Sequence, residues 1–170
     1  AQVHWETMVK ADHNWNYFIG DSEPASNWYT IGYNDATWQT ARGSFGFGDE
    51  DDTTVLSITH SLYIRHTFSI SDKSIIDSLL LEIDYDDAFV AFLNGIEIGR
   101  SNIRPDGSIP LYNQAAIGQH PSQMLNGGLP DLFTINFKNI RQILKNGENV
   151  FAFQLHNNWI DNEMSINPFF

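Results

Sequence analysis

Residues 86–100, DDAFVAFLNGIEIGR, decide how the whole chain is read. Phe89 to Leu93 and Ile96 to Gly99 are short apolar runs, and Asn94-Gly95 between them tolerates the positive φ angles of a two-residue type I′ turn better than almost any other pair. The stretch therefore predicts a β-hairpin whose turn fixes strand register. Its polar residues flank the bend and raise the question whether the turn is a reactive site or only a hinge; turn chemistry favours the hinge.

Working outward, period-two alternation continues on both sides. Leu62, Ile64, His66 and Phe68 share one face of SLYIRHTF, with Tyr63, Arg65 and Thr67 on the other, and Leu79, Leu81, Ile83 and Tyr85 share a face of LLLEIDY. These read as half-buried strands. DLFTINF places Phe133, Ile135 and Phe137 together, and VFAFQLHN alternates Phe151, Phe153 and Leu155 with Ala152, Gln154 and His156. Between them Ile140, Ile143 and Leu144 have the spacing of one helical stripe, with Gly147 placed as a C-terminal cap. Asp35 to Trp38 reads as one turn of helix or a tight loop. Residues 103–129 are rich in Pro, Gly, Asn, Gln and Ser and read as a long surface excursion.

A chain of 170 residues with 42% hydrophobic and 14% aromatic content suffices for one well-buried core and is short for two. One domain over residues 1–170 is expected. Many short strands bounded by Gly and Asn turns, with one or two short helices, point to an all-β antiparallel β-sandwich in jelly-roll order.

The net charge of −12, with 9 Lys and Arg, would repel phosphates and anionic lipid, which argues against nucleic acid and membrane surfaces as partners. No run approaches the ~20 apolar residues of a bilayer span. The absence of cysteine excludes disulfides, a thiol nucleophile and Cys-ligated metal. Low Lys beside abundant Asn, Asp, Thr, Ser and Trp is the balance of extracellular sugar-handling proteins, and Ala1-Gln2 fits the end left by signal cleavage, so secretion is expected.

Three blocks in order, SLYIRHTFSI, DYDDAFVAFLNGIEIGR and LKNGENVFAFQLHN, resemble the galactose-binding-domain-like jelly rolls, including the sugar-binding domains of β-galactosidase-type hydrolases. A nearer resemblance is to a module of bacterial secreted multidomain proteins that accompanies CotH-like kinase or lamin-tail domains. It is carried by Trp38, Gly46 to Asp49, Asp51 to Thr53, Tyr85 to Gly95, Glu97, Arg100 and Asn102. The resemblance covers roughly residue 28 to the C-terminus. It implies the jelly-roll fold and a mostly noncatalytic role: glycan binding, sometimes a structural calcium ion, or support of a neighbouring domain. One sandwich hosts many unrelated sites, so fold transfers better than function.

Several residue groups are candidates for chemistry. GFGDEDDTT sets Asp49, Glu50, Asp51 and Asp52 in a glycine-led loop, where hard oxygens suit calcium, although the EF-hand spacing is absent; a solvated acidic turn is the competing reading. The calcium candidates are Asp49, Asp51 and Asp52. Asp84, Asp86 and Asp87 form a second acidic group, but adjacent strand residues point to opposite faces and do not flank a scissile bond as glycosidase carboxylates do. Pairing with Arg65 or Arg100, or a turn role, is expected for them. The six histidines lack metal spacing; His66 reads as a hydrogen-bonded core residue, and His156 is the best placed for ligand contact. No G-x-S-x-G elbow occurs, and Gly43, Gly46 and Gly48 do not open a phosphate loop.

Aromatics are the remaining lead. A flat apolar ring beside amides and carboxylates suits a sugar's C–H faces and hydroxyls. Trp28, His156, Asn157, Asn158 and Trp159 are the candidate carbohydrate-binding residues, whereas Trp38 reads as a plug of the sandwich end. The expected function is a noncatalytic carbohydrate-binding accessory module, with a structural spacer or docking domain as the alternative and a hydrolase using the Asp groups last.

Overall fold

The computed structural model describes residues 4–48, 52–158 and 163–170, and all side chains within them except those of 136–139. Eleven strands are formed in the described residues: β1 Asn14–Ile19, β2 Gln39–Arg42, β3 Phe45–Phe47, β4 Thr54–Val55, β5 Ser61–Ile70, β6 Ser78–Asp86, β7 Ala88–Leu93, β8 Ile96–Ser101, β9 Asp131–Asn136, β10 Gly147–His156 and β11 Met164–Phe169. One helix, α1 Phe137–Ile143, separates β9 from β10. The strands make a six-stranded sheet ordered β2-β1-β5-β10-β7-β8 and a five-stranded sheet ordered β4-β3-β11-β6-β9. From β5 to β11 the chain crosses repeatedly between the two sheets, as a jelly-roll sandwich requires. All pairings are antiparallel except β3 with β4.

The expected alternation builds the space between the sheets. Leu62 and Ile64 of β5, Leu79 to Tyr85 at alternate positions of β6, Phe89, Ala91 and Leu93 of β7, Phe151, Phe153 and Leu155 of β10, and Met164 and Ile166 of β11 form one core with Trp15 and Phe45. Each side chain points inward at every second position, so a one-residue slip would expose the whole set. The Asn94-Gly95 turn prevents that slip: φ is 53° at Asn94 and 89° at Gly95, and β7 and β8 leave it as a hairpin.

Half-burial fails for the larger sheet. All six residues of β7 and the first five of β5 are buried, because a second apolar cluster covers the outer face. Trp28, Trp38, Tyr63, Val90, Phe92, Ile103, Ala116 and Ala152 build it, drawn from the sheet and from the two long connections that cross it. The segment after β8 is thus not a free excursion; it lays Ile103, Pro110 and Ala116 onto the sheet and carries only a short 3-10 turn at Met124–Asn126. Asp35 to Trp38 is a turn closed by the Trp38 N–H donating to the Asp35 carbonyl at 2.9 Å.

The helix stripe places Ile140 and Leu144 in the core. Phe137 opens α1 instead of closing the strand before it. Gly147, at φ 86°, starts β10, and the buried Asn149 side chain satisfies the turn after α1: its Oδ1 accepts from Lys145 N–H and its Nδ2 donates to the Lys145 and Gly147 carbonyls, each at 2.9 Å. An amide that offers both donor and acceptor does here what a glycine cap was expected to do.

Candidate functional site

The polar residues marked by the sequence converge on one end of the sandwich, where β6 passes into β7 and β10 ends. Asp84, Asp86 and Asp87 are all buried there. The Asp87 carboxylate accepts from the His120 N–H and the Asn158 N–H, both at 2.7 Å. The Asp84 carboxylate accepts from the Gln123 N–H at 2.7 Å and the Met124 N–H at 2.9 Å. Neither expected arginine serves them: Arg65 pairs with Asp35 at 2.7 Å and Arg100 with Glu97 at 2.7 Å. Backbone N–H groups of the covering segment lie nearer, and charge-assisted bonds to them contribute about 1.5–3 kcal/mol each. The two carboxylates fasten irregular backbone to the sheet ends.

Trp28, His156, Asn157 and Asn158 are all buried, Trp28 in the outer cluster against Phe92 and the other three at the end of β10. Trp28 is 2% exposed, stacked on Trp38 with centroids 6.2 Å apart and meeting Tyr63 at 5.0 Å and Phe92 at 5.7 Å edge-on. The ring is thus almost wholly covered, and the open platform expected of Trp28 is a packed plug, as Trp38 also is. Asn157 donates its N–H to the His60 carbonyl at 3.0 Å and accepts from Ala116 N–H at 3.1 Å. The His156 Nδ1–H donates to the Gln114 carbonyl at 2.7 Å, which leaves Nε2 as the bare nitrogen of a neutral ring. Burial pushes the His156 pKa down to about 4. His156 Nε2, Gln154 Oε1 and Asn157 Oδ1 are buried without a hydrogen-bond partner among the described residues.

Trp159 and the loop residues Asp49, Glu50 and Asp51 lie outside the described residues. Asp52 is half-buried beside Gly46, where a Cβ would collide with its carboxylate and with the Met164 carbonyl. Gly46 is needed for this close approach. Among the described residues no group of three or more His, Asp or Glu could hold a metal ion.

Two constellations escaped the sequence. Arg65, almost fully buried, donates from Nε to Asp35 and from Nη1 to the Trp28 and Thr30 carbonyls, and lies over the Tyr33 ring with its Cζ 5.0 Å from the centroid. It anchors the connection that carries Trp28. At the open edge of the sandwich, the Tyr85 hydroxyl lies 2.8 Å from Ser101 Oγ and 3.0 Å from Asp131 Oδ2, and the His120 ring stacks on Tyr85 at 4.1 Å. Burial, then the Asp131 carboxylate, pushes the Tyr85 phenol up to about 12, so it stays a neutral donor. No periodic pattern relates residues 85, 120 and 131, and only the fold brings them together.

Two open grooves of about 490 and 450 Å³ occur away from this end. One lies between the N-terminal segment and the outer face of the smaller sheet, the other between the edge strands β8 and β9 and the end of α1.

The architecture defines a two-sheet β-sandwich module. No protein-family model and no curated protein matches the sequence. The fold is similar to part of several larger glycosidases. A β-glucuronidase from glycoside hydrolase family 2 shares 16% identity over 98% of this chain and 18% of that one, with a TM-score of 0.54. A Bacteroides uniformis β-glucuronidase shares 10% over 96% and 18%, with a TM-score of 0.53. A family 2 glycosyl hydrolase from Bacteroides cellulosilyticus shares 11% over 96% and 20%, with a TM-score of 0.55. This chain thus spans about a fifth of the length of those proteins, and at these identities the likeness is one of fold. No helix among the described residues is long and apolar enough to cross a membrane.

Proposed function

We propose that this chain is a noncatalytic accessory module of a larger secreted bacterial protein, acting by contact with neighbouring domains and with carbohydrate. The observation that carries the reading is one of proportion: 96–98% of this chain superposes on only 18–20% of larger glycosidase chains. A fold that occupies a fifth of an enzyme is suited to supporting or positioning the rest of it. The acidic residues add to this reading. Two of the three buried carboxylates at the sandwich end are engaged by pairs of backbone N–H groups, which is a fastening role and not that of an opposed acid and base.

Contact with neighbouring domains is supported by apolar side chains on the covering segment, where Leu111 and Ile117 are well exposed beside Ile109. The bacterial sources of similar structures, together with low Lys beside abundant Asn, Asp, Thr, Ser and Trp, support the secreted setting. The test is to assay the purified chain, alone and at high concentration, against chromogenic glycosides. No turnover is expected, and saturable hydrolysis that disappears in Asp86→Asn would overturn the reading.

A further inference from the structure

The larger groove lies far from the residues first considered for sugar contact, and its construction gives it a separate meaning. Its floor is the outer face of β11, where Asn167 and Phe169 point away from the core at alternate positions. One wall is the N-terminal segment with Thr7, Lys10 and Asp12; the other is Ser44 and Thr53. Both walls are held in place. Met8 and Val9 donate their N–H groups to the Phe170 carbonyl at 2.7 Å, Phe170 N–H returns a bond to the Val9 carbonyl at 2.8 Å, and buried Trp15 Nε1–H donates to the Ala11 carbonyl at 3.1 Å. On the opposite side Thr53 N–H donates to Ser44 Oγ at 3.1 Å and Thr54 N–H to the Ser44 carbonyl at 2.9 Å. A groove whose walls are already fixed loses little entropy when it is filled.

Its chemistry is mixed in a particular way. The Phe169 ring is half-exposed and has no aromatic neighbour among the described residues, and neither the Asn167 amide nor the Lys10 ammonium makes a side-chain hydrogen bond there. The Asp12 carboxylate is held by Arg42 at 2.7 Å, which keeps its pKa below the usual range and leaves no unbalanced acid. A hydroxyl both donates and accepts. The groove answers with an amide that does both, hydroxyls on Thr7 and Thr53, and an ammonium donor, all beside an apolar ring. That combination matches a pyranose, which presents C–H bonds to a ring and hydroxyls around its rim. Its volume, about 490 Å³, falls within the range of small-ligand sites.

We propose that this groove, with Phe169 as platform and Asn167 and Lys10 as hydrogen-bonding groups, is a glycan-binding subsite for one or two sugar units. The inference rests on reading the chain as a contact module and names what it contacts. The test is an NMR titration of the whole chain with soluble oligosaccharides of glucose, galactose, mannose, xylose and galacturonic acid. Saturable shifts of the Asn167 side-chain amide and the Phe169 ring are expected with at least one series. Phe169→Ala should weaken that binding about tenfold, one hydrophobic contact's worth. Lys10→Ala, at an exposed side chain, should weaken it severalfold, and Leu125→Ala, at an exposed side chain outside the groove, should leave it unchanged. The proposal is overturned if no oligosaccharide shifts these signals, or if binding survives both groove variants. Hydrolysis of an oligosaccharide in the same samples would instead overturn the noncatalytic reading, so the two failures are separable.

Discussion

The carboxylate of Asp87 accepts the backbone N–H of Asn158 at 2.7 Å, joining the crossing from β6 to β7 to the end of β10. The same carboxylate takes the His120 N–H at 2.7 Å, so one side chain, 1% exposed, pins two stretches of irregular backbone. Asp87→Asn replaces one of the accepting oxygens with a donor that faces an N–H group. A loss of about 2–4 kcal/mol is expected, read as a lowered urea midpoint with an unchanged m-value. A loss below about 0.5 kcal/mol would contradict the fastening role.

Asn94 is the hinge of the hairpin and more. Its Nδ2 donates to the Ile143 carbonyl and to Asn149 Oδ1, and its Oδ1 accepts from Val150 N–H, each at 2.8 Å. Asn94→Ala loses these bonds and sets a Cβ residue other than Asn at φ 53°, for an expected cost of about 2–4 kcal/mol. Asn94→Gly keeps the backbone conformation and loses only the bonds, so it should cost about 1 kcal/mol less. Equal denaturation midpoints for the two variants would show that the conformation contributes nothing.

Arg65 governs the cover that hides Trp28. Arg65→Ala leaves Asp35 and the carbonyls of Trp28 and Thr30 without their donor, at an expected cost of about 2–3 kcal/mol. In a background lacking the exposed Trp5 and also Trp159, acrylamide should quench the parent weakly and the Arg65→Ala variant more strongly. Unchanged quenching would mean that the cover is held by its aromatic packing alone.

Stability should fall with acid through His156. Its pKa in the folded state, about 4, lies below the ordinary value of 6.5 because burial disfavours the charged ring. The unfolded chain therefore binds the proton first. The contribution is complete above pH 6.5 and is lost as pH falls toward 4, for a total of about 3 kcal/mol. His66, whose pKa burial also lowers, adds in the same direction. Replacing His156 with Gln should flatten the stability profile between pH 6.5 and pH 4; a slope equal to that of the parent would contradict the assignment.

Much of the fold was legible because it rests on local signals. Asn94-Gly95 announces its turn, and the alternating Leu, Ile and Phe of β5, β6 and β10 point to a shared interior. The double burial of β7 was not legible: AFVAFL can face a core on one side or two, and only the tertiary path of the 21–38 and 103–122 connections decides it. The same reason misplaced Trp28, since a tryptophan among Asn and Asp reads alike as platform or plug until its neighbours are known. Asp87 was expected to pair with an arginine or to serve a turn, because charge and turn residues are visible in sequence, whereas a backbone N–H aimed from thirty-three residues away is not. Phe169 and Asn167 drew no notice for the opposite reason: nothing in NPFF distinguishes an outward ring from a buried one.

The most direct test of the account is turnover by the isolated chain. Purified protein, shown to be folded by its cooperative melt, would be incubated at high concentration with chromogenic glycosides, including glucuronides, beside the Asp84→Asn and Asp86→Asn variants. The account predicts no hydrolysis above the buffer rate in any sample. Saturable hydrolysis that follows the folded protein through purification and falls in a folded Asp variant would contradict it.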